Sequence, residues 1–346
     1  MLIPEFAAQS GIALTWPHAA SDWCDSLTDV IPVYTAIARA VMAYERLLVI
    51  CHDEPHRNTV TQALEQAGLS GDRLGMACLP TNDTWIRDYG PLVTANDTRL
   101  TLHDFVFDGW GGKYPASLDD RISRRLHDAG CFGSIPLRRH SLVLEGGSID
   151  TDGCGTLLTT SRCLLDSGRN SGIGRAGMET RLRDSLGATR ILWLDHGELA
   201  GDDTDGHVDM LARFCSADTI AFTRCDRQDD PHYPSLEAMA DQLGGFASAS
   251  GQPYRLVPLP LPAPCFDADN RRLPASYANF LILNDAVLMP AYNDPADTLA
   301  AQALQGCFPD RDIIPIDCLP LIRQSGSLHC ATLQLAAGIL AETARG

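Results

Sequence analysis

Short apolar runs recur along the chain: R-L-L-V-I (46–50), T-L-H-D-F-V-F (101–107), S-L-V-L (141–144) and R-I-L-W-L (190–194). T-I-A-F (219–222), N-F-L-I-L (279–283) and A-V-L-M-P (286–290) continue the series. Their length, β-branched content and flanking turn residues predict strands. Between several of them the apolar positions recur at helical spacing. D-D-R-I-S-R-R-L-H-D-A (119–129), M-E-T-R-L-R-D-S-L (178–186), S-L-E-A-M-A-D-Q-L (235–243) and L-A-A-Q-A-L-Q (299–305) are the clearest cases. The alternation predicts an α/β chain. G-G-F-A-S-A-S-G-Q-P (244–253) reads as a surface connection, and V-P-L-P-L-P-A-P (257–264) as extended strand or polyproline. Neither reads as a boundary, so residues 1–346 are taken as a single domain.

Composition narrows the function classes. The net charge of −17 argues against a nucleic-acid surface and suits a cationic substrate. No apolar run is long enough to span a membrane. The twelve cysteines show no repeated spacing and no C-x-x-C pair, and the first residues carry no secretory pattern. These features predict a cytoplasmic protein with reduced thiols.

Individual motifs are weak when taken singly. G-I-G-R-A-G (172–177) has the form of a dinucleotide loop but follows polar S-G-R-N-S rather than a strand, so it reads as a loop feeding a helix. D-D-T-D-G (202–206) fails the EF-hand spacing and reads as a mobile, solvated loop. T-D-G-H-V-D (204–209) is expected in a strand, where His207 and Asp209 would share one face and Val208 would enter the core. Asp88, in N-D-T-W-I-R-D-Y-G-P, sits where a strand would end, with Arg87 in a salt bridge as the structural alternative. Glu145 closes S-L-V-L and is either a rim carboxylate or a paired one, and taken singly it reads as the rim. Cys330 follows His329, but neighbouring strand residues face opposite ways, so its proton partner must come from elsewhere.

Spacing gives these residues common weight. Asp88, Glu145, His207, Asn279 and Cys330 recur about every sixty positions, each beside turn residues. E-G-G-S-I-D (145–150) and Q-S-G-S-L-H (324–329) echo each other faintly. Five similar units, each sending one polar group to a shared centre, would produce this pattern.

The segments N-D-T-W-I-R-D-Y-G-P, D-G-W-G-G-K-Y-P (108–115), L-E-G-G-S-I-D-T-D-G-C-G-T-L-L-T-T (144–160), D-D-T-D-G-H-V-D, L-P-A-S-Y-A-N-F (273–280) and S-G-S-L-H-C-A-T (325–332) resemble the agmatine deiminases and bacterial peptidyl-arginine deiminases of the guanidino-group-modifying superfamily. The resemblance implies a pentein α/β propeller, five ββαβ units around a central polar channel. It also implies hydrolysis of a guanidinium group without cofactor or metal. Cys330 would be nucleophile, His207 acid and base, and Asp88 and Asp209 substrate ligands. Glu145 matches the glutamate of the E-G-G motif, with orientation of His207 as its suggested role. Asn279 matches the S-Y-x-N position. Trp85 and Trp110 would wall the aliphatic part of a small cationic substrate, unless they are ordinary core aromatics. Homo-oligomer formation is left open. Ser325 and Ser327 depart from the family's G-G-N-x-H-C, which puts the turn before Cys330 in question. Agmatine is the expected substrate. Peptidyl or free arginine, whose extra group would need a partner such as Arg87, Arg271 or Arg272, is the rival. A non-catalytic binding module is a third reading.

Overall fold

The architecture was obtained as a computed structural model that describes residues 1–97 and 99–341. Among the described residues the strands form five small sheets. β1 (Gln9–Thr15), β2 (Arg46–Cys51) and β3 (Leu74–Cys78) are parallel neighbours. β4 (Leu92–Asn96), β5 (Arg99–Val106) and β6 (Leu137–Val143) make the next sheet. β7 (Ile149–Thr151), β8 (Thr156–Thr160) and β9 (Arg190–Leu194) make the third. β10 (Ala212–Ser216), β11 (Thr219–Arg224) and β12 (Arg255–Pro260) make the fourth. β13 (Leu281–Ile282), β14 (Ala286–Ala291) and β15 (Asp312–Asp317) make the last. β16 (Thr332–Ala336) returns to pair antiparallel with β1, so the first sheet joins both ends of the chain.

Every sheet repeats one plan. An antiparallel pair is followed by a helix that crosses over to a parallel third strand. The crossovers include Ile122–Asp128, Arg175–Leu186, Tyr233–Gly244, Ala296–Cys307 and Leu27–Tyr44. The five expected ββαβ units are therefore present. Leu27–Tyr44 shows why such a segment is helical: Val30, Val33, Tyr34, Ile37, Ala38 and Val41 fall on one buried stripe. Middle strands read as continuous apolar runs because both faces are covered, as in β14, whose first five residues are all buried.

Two boundaries depart from the periodicity. Only Leu281 and Ile282 of N-F-L-I-L pair as a strand: the Asn279 N–H closes a turn on the Ser276 carbonyl, and its side chain accepts from the His329 N–H. T-D-G-H-V-D is not a strand: Val208–Met210 is one turn of 3-10 helix with His207 at its N-cap. Val208 does enter the core, as expected. G-I-G-R-A-G precedes a helix that starts at Arg175 with Gly174 as N-cap, as a loop feeding a helix should. No helix among the described residues is long and apolar enough to cross a membrane.

Candidate active site

A tight turn stands before the first strand of each unit: Ile86–Tyr89, Gly146–Ser148, Val208–Met210, the turn at Tyr277 and Ala278, and the turn ending at Cys330. The turns bring Asp88, Glu145, His207, Asp209, Asn279 and Cys330 together. His207 at the N-cap and Asp209 within the turn both reach the site, although the strand that was expected to align them is absent.

On one side His207 lies between two carboxylates. Its Nε2 is 3.3 Å from Glu145 Oε2, and its Nδ1 is 3.6 Å from Asp88 Oδ1. Burial opposes its charge, but Asp88 and Cys163 outweigh burial and raise its pKa well above the usual value. Glu145 is fully buried rather than at the rim. Burial works to raise its pKa, yet His207 and Arg169 hold it below the ordinary carboxylate value. Arg169 Nε donates to both Glu145 oxygens, at 2.8 and 3.0 Å. Asp88 accepts instead from neutral donors: Gly147 N–H to Oδ1 and Trp110 Nε1–H to Oδ2, both at 2.9 Å. Burial pushes its pKa up, offset in part by His207.

On the other side Asp209 Oδ2 accepts from His329 Nδ1 at 2.8 Å and lies 3.7 Å from Cys330 Sγ. Asn279 Oδ1 accepts the His329 N–H at 2.8 Å and the Cys330 N–H at 3.3 Å, while its Nδ2 stands 3.3 Å from the sulfur. Burial, then Asp209 and Asp88, raise the Cys330 thiol pKa well above normal. No hydrogen bond joins Cys330 to His207 or to the His329 ring. The proton partner of Cys330 is thus not the adjacent histidine, as expected, although the reason is a turn rather than strand alternation. Gly147 separates the two sides: a Cβ there would stand 2.7 Å from His207 Nδ1 and 2.9 Å from both Asp88 Oδ1 and Asp209 Oδ2.

Two buried polar atoms of the site have no hydrogen-bond partner, His207 Nδ1 and Asp209 Oδ1. Such atoms are costly to leave bare and point to a polar ligand. A cavity of about 330 Å³ ends at Cys330, Asp88, Trp85 and Trp110. Both tryptophans are core residues as well, since Trp85 packs on Trp23 and Trp110 on Phe107.

Residues 1–336 match the Porphyromonas-type peptidyl-arginine deiminases. An agmatine deiminase from Ectopseudomonas mendocina (strain ymp) is 30% identical, covering 95% of this chain and 94% of its own. The chain belongs to the Porphyromonas-type peptidyl-arginine deiminase family. Within the family, a C. jejuni agmatine deiminase solved as a cysteine-to-serine variant with substrate bound has a TM-score of 0.89 and 34% identity, covering 98% of this chain and 96% of that one. A Porphyromonas gingivalis protein, described provisionally as an arginine deiminase, reaches TM-score 0.92 and 46% identity over 98% and 99% of the two chains.

The departures from the family turn now have a physical description. Ser325 has φ +63, a left-handed conformation that glycine adopts without strain. Gly326 packs on Trp85 so closely that a Cβ would stand 2.3 Å from the ring. Ser327 is buried, with its hydroxyl 3.1 Å from the Tyr292 hydroxyl. The 202–206 segment is not the solvated loop expected from its acidity. Asp205 accepts from Arg169 and Lys113 at 2.7 Å each, and Asp203 accepts from Tyr114 at 2.8 Å. Arg87 faces away from the cavity, 3.7 Å from Glu5 and hydrogen-bonded to the His329 carbonyl and Gln334.

Sequence reasoning missed Arg169, Cys163, His329 as a ligand of Asp209, and Glu5. Arg169 lay in the polar stretch before G-I-G-R-A-G, and its isolation among small residues was the available signal. Cys163 completes a buried trio with Glu145 and His207 whose ligand atoms lie within 4.8 Å of one another. The residue types suit a metal, but the Arg169 guanidinium already occupies both Glu145 oxygens, so the charge of the carboxylate is met internally.

Proposed function

We propose that this chain hydrolyses agmatine to N-carbamoylputrescine and ammonia. The observation that carries the reading is Asp209: a buried, ionised carboxylate with one oxygen anchored and the other unpartnered, beside a buried thiol. A planar guanidinium, with its fork of N–H donors, is the ligand that such an oxygen suits.

Asp209 and Asp88 grip the guanidinium from two sides and hold its carbon toward Cys330 Sγ. The thiol is neutral in the free protein because two acids and burial oppose a thiolate. The arriving cation offsets those charges and favours loss of the thiol proton to solvent water. Sulfur then bonds to the guanidinium carbon, and His207, already protonated, gives its proton to the departing nitrogen, which leaves as ammonia. Water, losing a proton to His207, adds to the same carbon of the thiouronium. The carbon–sulfur bond breaks and the ureido product leaves. Glu145, fixed by Arg169, keeps the imidazole oriented throughout and favours its cation between turnovers.

The mouth of the cavity supports an amine rather than a carboxylate at the far end of the substrate. Its carboxylates include Asp22, Asp83 and Asp203, whereas each arginine there is already paired. Arg272 is held by both oxygens of Asp230 at 2.8 and 2.9 Å, Arg271 by Asp267 at 2.7 Å and Arg323 by Asp29 at 2.7 Å. The greater identity to the P. gingivalis protein favours free arginine as a second reading. Ammonia and ureido product measured in parallel from agmatine, arginine and an arginine peptide separate these, with Cys330→Ala as control. Turnover of arginine without agmatine would overturn the substrate, and no product from any of the three would leave a binding module.

A further inference from the structure

Asp209 holds the substrate in the chemistry just described, but Glu5 and His329, which are chained to it, have no part there, although all three side chains are buried. His329 Nδ1 faces Asp209 Oδ2 at 2.8 Å, and its Nε2 faces Glu5 Oε2 at 2.7 Å. Both carboxylates are held ionised. For Glu5, burial works against the charge, but Arg213 and His329 outweigh it and lower the pKa. For Asp209, burial is likewise outweighed, by His329 and then His207. Each ring nitrogen of His329 thus meets a carboxylate oxygen at hydrogen-bond distance, so the ring is held at both ends.

Glu5 is itself fixed from three directions. Arg213 Nη2 donates to Oε2 at 2.7 Å, the Ile282 N–H donates to Oε1 at 2.7 Å, and Arg87 Nη2 lies 3.7 Å away. The segment before β1 thus reaches the centre of the molecule and locks an imidazole there. That imidazole takes Asp209 Oδ2, which also lies 3.7 Å from Cys330 Sγ, and leaves Oδ1 bare.

We infer that Glu5 and His329 are positioning residues that aim the free edge of Asp209 at the cationic headgroup of the substrate. The inference rests on the guanidinium reading of the site. Partners of this kind, one bond removed from a ligand, change affinity or rate about 10- to 100-fold when lost.

The test uses two readouts. In the first, His329→Ala, His329→Asn and Glu5→Gln are compared with wild type for kcat and KM on agmatine, after thermal melts show folded protein. Asparagine keeps an N–H for Asp209, so it should restore at least about tenfold of the kcat/KM lost in the alanine variant, chiefly through KM. The second needs no turnover. Alkylation of Cys330 by a chloroacetamidine, a small amidinium electrophile, is compared with alkylation by neutral iodoacetamide. Glu5→Gln, whose site lies two hydrogen bonds from Asp209, should slow the amidinium reaction about tenfold and the neutral one less than twofold. Equal slowing of both reagents, or unchanged rates in folded variants, would overturn the relay. Wild type inert on every guanidino substrate would sink the reading of the site while the alkylation ratio still decides the relay.

Discussion

Asp88 and Asp209 stand on either side of Gly147, both almost completely buried, yet their charges are treated oppositely. Asp88 is given neutral donors, an amide N–H and an indole N–H, and burial raises its pKa. Asp209 is given an imidazole that is itself anchored by Glu5, and its pKa falls despite burial. Burial by itself therefore does not determine how a carboxylate titrates; the groups that it faces do. The Asp88 side is prepared to gain a cation, and the Asp209 side is ionised beforehand.

The most direct way to break this arrangement is to fill the space between the sides. Gly147→Ala would press a methyl against His207, Asp88 and Asp209 at once. The expected outcome is a loss of kcat/KM above about 100-fold in folded protein, measured by ammonia release, because small misplacement of reacting groups has effects of that order.

Exchanging each acid for its amide sharpens the contrast. With a folded pKa below the unfolded value, Asp209 contributes stability that is present above about pH 4 and is lost as pH falls through the lowered value. With a raised folded pKa, Asp88 has the opposite sign: its ionisation costs stability as pH rises above the unfolded value. At pH 7, without substrate, Asp209→Asn should destabilise by about 2 kcal/mol, whereas Asp88→Asn should be neutral or stabilising. Urea midpoints of the two variants check this, and equal losses would contradict the contrast.

At the mouth, burial pushes the Asp83 carboxyl up to about 7. Its charge, and its hold on a distal amine, should therefore appear as pH rises from 6 to 8. KM for agmatine is expected to fall severalfold across that range, an effect in the range of a partly exposed ion pair. Asp83→Asn should flatten the profile. The smallest change concerns the turn that carries Cys330. Ser325→Gly removes a left-handed serine and should alter stability by no more than about 1 kcal/mol, in the stabilising direction, with kcat within twofold. A large loss of activity would mean that the Ser325 side chain does more than fill a turn.

The unit plan was legible in the residues themselves. A sixty-residue recurrence of turn-flanked polar groups matched five repeats, and R-I-L-W-L and T-I-A-F became strands where their periodicity placed them. Glu145, read singly as a rim carboxylate, lies inside, because it is paired there with Arg169, twenty-four positions away. The apolar stretch after T-D-G-H-V-D suggested a strand that begins only at Ala212, since the polar residues ahead of it are held in a turn by contacts with other units.

Local sequence by itself determined most of the helices and strands, and which side chains had the chemistry for a thiol, an imidazole and paired acids. Only the tertiary structure decided the charge state of each. Those states depend on what faces a buried group across hundreds of residues, as Glu5 faces His329 from 324 positions away. Propensity and periodicity act over a few neighbours, whereas Coulomb interaction and desolvation act through space, and only folding sets those distances.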